Sequence, residues 1–459
     1  MRISFAVSVI GCVALAAPSC RAETMREALA HAYLVNPQLN AQRANTRGVD
    51  ENLPIAQGAF LPTASVQGNF GLQVQELQGV RSGSQIINLA AASTQPGGGA
   101  ISLSLNIFNG FRGINGINQA EAQIFQSRQY LRNIELSVLS AAASAYLNVQ
   151  RDIAIYDLRD QYVAIMAHQV EITRERLIGG EVTMTDVYQA ETAHAQAKQD
   201  RATATVNLQA SLSVYKQVIG QAATRLAPAP PLDNMLPKSI EAAIQFADAN
   251  HPLAQAARYN VEIQDYAVSI IEGQLAPTVA LNGQVWKQYD AYNTANQRLF
   301  QGFVGVQLNA PIYEGGVIYG QARQAKEKLG EARYLQDQQL LQIHQSTEAA
   351  WAAWKQSGKF LAAAKEQVAK GEETLAGMRE EAKYGQRITL EILNSQLTLV
   401  NARIAYVIGQ RDRIATSYNL LAAIGGLSAA TLGLDVPMYD PTEHFDRVKH
   451  QFIGLEPWK

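Results

Sequence analysis

The chain states nearly the same pattern twice, and that duplication limits what it can fold into more than any local signal does. Gly110, Ala120, Ala145, Gly180 and Gly220 meet their own residue types 205 positions later, at Gly315, Ala325, Ala350, Gly385 and Gly425. Phe108 with Tyr313, Tyr146 with Trp351, Asp186 with Glu391 and Val187 with Ile392 are chemically similar pairs at the same spacing. Upstream the spacing is 215, from Pro37, Gly58, Pro62 and Gly68 to Pro252, Gly273, Pro277 and Gly283. The first copy therefore carries ten extra residues between Gly68 and Ile107. Repeats this long make two structural halves, not a solenoid of short units.

Arg2, the apolar run 3–17 and the small residues around Cys20-Arg21-Ala22 read as a secretory signal over residues 1–22, so the mature chain starts near Glu23. Both cysteines of the sequence lie in this leader, and the mature protein needs no disulfide in an oxidising compartment. Acylation of Cys12 or Cys20 is the alternative, but Cys12 sits mid-leader and Ala17-Pro18-Ser19 is a poor context before Cys20. Beyond the leader no apolar run approaches the ~20 residues of a membrane-spanning helix, which excludes a helical inner-membrane transporter. A net charge of −2 offers no basic field for nucleic acid.

Two tracts, 97–227 and 312–436, contain no proline and are rich in Ala, Gln, Glu, Leu and Arg, the composition of long helices. Ile117, Ile124, Leu131, Val138 and Ala145 recur every seven residues, and Leu390, Leu393, Leu397, Val400, Ile404 and Val407 alternate by three and four, which is a coiled-coil seam. Leu329, Ile343 and Ala350 keep the first register in the second copy, where Gln336 breaks it, and Arg411 interrupts the later seam. Gly179-Gly180 and Gly385 mark fold-backs within the tracts. An arm from Ile117 to Ile178 would be ~90 Å long, a rod that no compact domain of this size needs.

Four short segments alternate with a period of two. Ala64, Val66, Gly68, Phe70, Leu72 and Val74 oppose Ser65, Gln67, Asn69, Gly71 and Gln73; Ile101, Leu103, Leu105 and Ile107 oppose Ser102, Ser104 and Asn106. Val279, Leu281 and Val285 oppose Ala280, Asn282 and Gln284, and Val304, Val306 and Leu308 oppose Gly305, Gln307 and Asn309. One apolar and one uncharged polar face fits a transmembrane barrel with a wet lumen. Trp286, Tyr289, Tyr292 and Phe300 are expected at the membrane boundary, where amphipathic rings settle. Four strands cannot close a barrel, since ~8 is the practical minimum, and an open edge in lipid leaves backbone groups unpaired. The chain must pool strands with copies of itself.

The resulting layout is a repeat 1 over 23–227, with strands about 61–78 and 99–109 and a helical hairpin about 114–225. A linker 228–238 follows, then a repeat 2 over 239–427, with strands about 276–290 and 301–312 and a hairpin about 317–425, and a tail 428–459. With this layout the sequence resembles the TolC-like outer-membrane efflux and secretion channels over about 24–427. The resemblance rests on Gly58-Ala59-Phe60-Leu61-Pro62, Gly273-Gln274-Leu275-Ala276-Pro277 and Pro311-Ile312-Tyr313-Glu314-Gly315-Gly316, in order and duplicated. The segments 180–187 and 385–394 look like the family's hairpin tips.

The resemblance implies an α+β membrane protein: a homotrimer with a twelve-stranded β-barrel in the outer membrane of a Gram-negative bacterium, continued by an α-helical periplasmic tunnel. Short helices around 24–57 and 239–272, the linker and the tail would form a belt around it. It implies a passive exit duct for drugs, metals or secreted protein that needs no cofactor and binds no metal. The duct docks onto a periplasmic adaptor and an inner-membrane ABC, RND or MFS transporter. It also implies adaptor contacts at Gly179, Gly180, Glu181, Val182, Gly385 and Gln386, and gating contacts between Arg387 and Thr185 or Asp186 of the neighbouring hairpin. The periplasmic entrance would be lined by Glu391 and Asn394.

Three departures qualify these roles. Asn394 stands where a second acid is common, Gly179-Gly180-Glu181 lacks the usual apolar residue after the glycine, and Ala382 replaces an aromatic gating residue. Three copies of Glu391 at a constriction would attract polyvalent cations; the plain alternative for Arg387 is an intrahelical pair with Glu391.

Catalysis finds little support. Glu191-x-x-His194 has a di-iron spacing, but Gln396 and Leu399 stand at the matching positions of the other repeat, so it reads as a solvated helix face. There is no phosphate loop or zinc-protease motif, and His251 and His344 are isolated. A periplasmic hairpin adaptor without a barrel is the rival reading; it predicts one hairpin per chain and a separate β-domain.

Overall fold

A computed structural model of the chain describes residues 22–83, 85–290 and 297–455. The expected leader, apart from Ala22, and Tyr292 lie outside the described residues.

Each repeat opens with short helices. In repeat 1 these are α1 (Met25–Val35), α2 (Pro37–Asp50) and α3 (Asn52–Gln57). In repeat 2 they are α6 (Ile240–Asn250) and α7 (Pro252–Glu272). Thr24 and Glu27 form a reciprocal capping box that starts α1. Asn36 and His251, which correspond at the 215 spacing, cap α2 and α7 with a side-chain acceptor, each followed by proline at the first helical position.

The long hairpins are α4 (Arg112–Ile178) with α5 (Met184–Ile219), and α8 (Val317–Lys383) with α9 (Thr389–Ala423). Both long arms have 67 residues, so each is ~100 Å long. The heptad positions Ile124, Leu131, Val138 and Ala145 are buried.

The strands are β1 (Thr63–Phe70), β2 (Gln73–Ser82), β3 (Gln85–Thr94), β4 (Gly97–Phe108), β5 (Thr278–Tyr289) and β6 (Arg298–Asn309). An antiparallel sheet runs in the order β1-β4-β5-β6, and β2 with β3 makes a separate two-stranded ribbon. The strand expected over 61–78 is therefore two strands broken at Gly71-Leu72. The Gly71 amide bonds to the Pro96 carbonyl at 2.9 Å and pinches the chain there, and the ribbon between carries the extra residues of repeat 1.

Paired residues share a face. Val66 faces Ile101, Ile101 faces Val285, and Leu281 faces Val306, giving one continuous apolar band. Opposite it, Ser104 bonds to Asn282 at 2.9 Å and Asn282 to Gln307 at 3.0 Å. Tyr289 and Phe300 lie on the apolar face at its far end, where Lys287 and Arg298 approach the Tyr289 ring. Trp286 does not join them: it pairs with Ala100 and Gln301 and lies on the polar face, because its neighbour Val285 holds the apolar one.

The core sits between sheet and tips, where α1 packs on α4 and α5, and α6 packs on the middle of α8. Leu29, Leu139, Tyr146, Tyr215, Leu420 and Leu427 are among its largest buried side chains. Glu23 is buried there: its carboxylate accepts from the Tyr215 hydroxyl and Gln221, both at 2.8 Å, and its carbonyl accepts from the Tyr146 hydroxyl. The tail adds α10 (Pro441–Val448), strapped onto α2 by His444, 3.0 Å from the buried Asp50.

Candidate functional site

The tips farthest from the sheet hold the residues singled out in the sequence. Tip 1 turns through Gly180, at φ +75°, and tip 2 through Gly385, at φ +70°, a backbone region that glycine enters without strain. The Glu181 amide donates to the Arg176 carbonyl at 2.9 Å, and the Gln386 amide to the Glu381 carbonyl at 3.1 Å, so both turns close in the same way.

An ion pair spans each turn with its polarity reversed. In tip 1 the Arg176 Nε donates to Glu181 Oε2 at 2.9 Å. In tip 2 Arg387 Nε donates to Glu381 Oε2 at 2.6 Å. Arg176 and Glu381 are equivalent positions (176 + 205 = 381). No sequence motif marks Glu381; its signal is the 205-residue spacing from Arg176, which puts it at the same turn.

Arg387 also donates to Glu391 through Nη1 at 3.4 Å, and these two carboxylates raise its pKa, the hydrogen bond that it donates to Glu381 first. Glu391 Oε2 accepts from the Ile388 amide at 3.3 Å and so caps α9. Within one chain, then, Arg387 is bound by its own hairpin and does not meet Thr185 or Asp186. Asp186 is the capping partner of Thr183, accepting from that residue's amide at 2.8 Å and hydroxyl at 2.7 Å, which hold its carboxyl below the usual range. Asn394 is exposed one turn beyond Glu391, and Thr185 is exposed beside Asp186. Glu191 of the Glu-x-x-His spacing is bonded to Arg174 at 2.5 Å.

The two tips lie side by side. Tyr162, Met166 and Val170 of α4, Ala190 and Ala197 of α5, and Leu393 and Val400 of α9 form one buried seam. Leu393 is six residues past Arg387 and Ala190 four past Asp186. At the turns large apolar side chains remain uncovered: Ile178 is 89% exposed, Tyr384 81% and Ile388 61%.

The family model for outer membrane efflux proteins matches residues 28–221 and 243–426, one match for each repeat. The chain belongs to that family. The outer membrane efflux protein BepC of Brucella suis biovar 1 (strain 1330) is 35% identical to it, over 99% of this chain and 96% of BepC. The outer membrane protein TolC of Escherichia coli (strain K12) is 22% identical, over 90% of this chain and 84% of TolC. The Campylobacter jejuni CmeC outer membrane channel has the same fold, with a TM-score of 0.76, 15% identity, and coverage of 93% of this chain and 89% of that one.

As an outer membrane efflux protein, the chain is a trimeric exit duct in the outer membrane of a Gram-negative bacterium. It works with a periplasmic adaptor and an inner-membrane transporter. Two hairpins and a lipid-compatible sheet in one chain set aside the single-hairpin adaptor.

Proposed function

We propose that the tips are the gate of this duct and that Arg387 is its movable bolt. In the closed trimer Arg387 holds Asp186 or Thr185 of the neighbouring hairpin, and docking of the adaptor on the turns around Gly179–Val182 and Gly385–Gln386 draws the hairpins apart. The observation that carries the reading is the position of Arg387: it directly follows the Gly385 turn, and its guanidinium is already bonded to two carboxylates, Glu381 and Glu391. A guanidinium has five donors, so two bonds leave an edge free for a third acceptor. The uncovered Ile178, Tyr384 and Ile388 support docking at the same place, because exposed apolar side chains at a working end favour a protein partner.

Glu391 supplies the charge of the entrance. Glu381, Arg387 and Glu391 sum to −1 per chain (−1 + 1 − 1), so three chains leave a net negative ring that prefers cations.

The test is single-channel conductance of Arg387→Ser trimers in planar bilayers, with dye leakage in cells. Conductance and leakage are expected to rise with the amount of trimer unchanged. Conductance equal to the wild type would make the arginine an ordinary surface charge.

A further inference from the structure

The trimer interface is already drawn inside one chain. Repeat 1 meets repeat 2 along a joint made of β4 against β5 and α4 against α7, and three copies of a duplicated chain need the same joint again, from repeat 2 to repeat 1 of the next copy. We propose that the subunits join by repeating this internal joint residue for residue, which rests on the three-copy assembly and fixes its register.

Own-repeat pairing shows how faithfully the spacing carries. Val66 pairs with Ile101 in repeat 1; adding 215 and 205 gives Leu281 and Val306, which are paired in repeat 2. Applied to the joint, Leu103–Gly283, Ser102–Gln284 and Ile101–Val285 become Leu308–Gly68, Gln307–Asn69 and Val306–Phe70 of the next copy. Each derived pair puts apolar against apolar or polar against polar, as a barrel wall requires. β1 and β6 are the two free edges of the sheet, and these pairs close them.

Four glycines point to the same conclusion. At the internal joint, a Cβ on Gly110 would lie 2.1 Å from the Gly273 carbonyl oxygen, and a Cβ on Gly273 2.4 Å from that of Gly110. Their equivalents are Gly315 and Gly58, where a Cβ would meet nothing within 4 Å in the single chain. Gly58 has ordinary helical angles, φ −55°, so neither conformation nor crowding within the chain requires glycine there. The close backbone approach of Gly315 of the next copy does. Likewise the Gln119 side chain donates to the Ile263 carbonyl at 3.1 Å, and its equivalent Gln324 faces the Gly48 carbonyl across the interface. Phe125 stacks on Tyr259 at the internal joint, whereas Gly330 and Ala44 hold those places, so there the subunits meet through small residues.

No cysteine follows Cys20 in the sequence, which makes the register directly readable. Asn69→Cys with Gln307→Cys, oxidised in isolated outer membranes, is expected to give covalently linked trimers on non-reducing gels. Asn69→Cys with Asn309→Cys, displaced by two residues, is expected to stay unlinked, because diagonal neighbours exceed disulfide reach. Linking of the displaced pair, or of neither pair in a protein whose native mass is that of a trimer, overturns the register. A native mass of one chain overturns the three-copy assembly itself.

Discussion

The two repeats agree where the backbone is constrained and differ where polar groups choose partners. Both fold back through a glycine at the same place, and both long arms begin and end at equivalent residues. The polar residues diverge: Thr183 and Asp186 form a complete capping box on α5, whereas Ile388 stands at the cap of α9 and leaves Glu391 to do half the work. Asn36 caps α2 where His251 caps α7, and the ion pair across the turn runs in opposite directions. Backbone shape is set by sterics and tolerates few residues, while a polar contact can be rebuilt from whatever donor lies near. Function is therefore expected in the asymmetric polar residues and assembly in the symmetric glycines.

The strongest way to break this comparison is to add a methyl group at the joint. Gly110→Ala forces φ +66° on a side chain already 2.1 Å from a carbonyl oxygen, at a cost on the order of 4 kcal/mol from strain and overpacking. Thermal unfolding of the detergent-solubilised protein is expected to show a large drop. Gly315→Ala, also at positive φ, should cost only ~1–2 kcal/mol if its surroundings stay open, and close to the Gly110 value if the next copy fills them. A loss of only ~1–2 kcal/mol at Gly315 beside a large one at Gly110 would remove Gly315 from the interface.

The next effect separates the two caps by pH. His251 is buried, and burial brings its pKa down from 6.5 to about 4. Its Nδ1 accepts from the Leu253 amide at 3.2 Å, which only the neutral ring can do. The unfolded chain takes up the proton first, so this stability is complete above pH 6.5 and is lost as pH falls toward 4, roughly 3 kcal/mol per chain. His251→Asn copies Asn36, keeps the cap and is expected to flatten the acid limb of the melting-temperature profile. An unchanged acid limb would place the sensitivity elsewhere.

The smallest effect on stability distinguishes the two equivalent acids. Glu391→Ala is expected to abolish block of the channel by a trivalent cation applied from the periplasmic side, and Asn394→Asp to strengthen it. Asp186→Ala should leave block in place, since that carboxylate is taken up by its own helix cap and, in the closed gate, by Arg387 of the neighbouring hairpin. Block surviving Glu391→Ala would exclude the residue from the entrance ring.

Much of this architecture was legible in the residues. Proline-free tracts, glycine turns and period-two segments call for helical hairpins and a sheet that one chain cannot close, because these patterns follow from local sterics and from burial on one face. The break at Gly71 was not legible, since Leu72 and Val74 continue the alternation through it, and only the bond from Gly71 to Pro96 divides the strand. By residue type Trp286 is an aromatic near a boundary, but its parity with Val285 puts it on the polar face.

The sequence by itself determined the duplication, the long hairpins and the need for several copies, because each rests on spacing, and spacing survives without coordinates. Tertiary structure alone decided which carboxylate holds Arg387, that Glu23 is a buried anchor, and that the tail is strapped down where His444 meets Asp50. Those contacts join residues that no period relates. Each forms only because folding brings a donor to an acceptor across a turn or between helices.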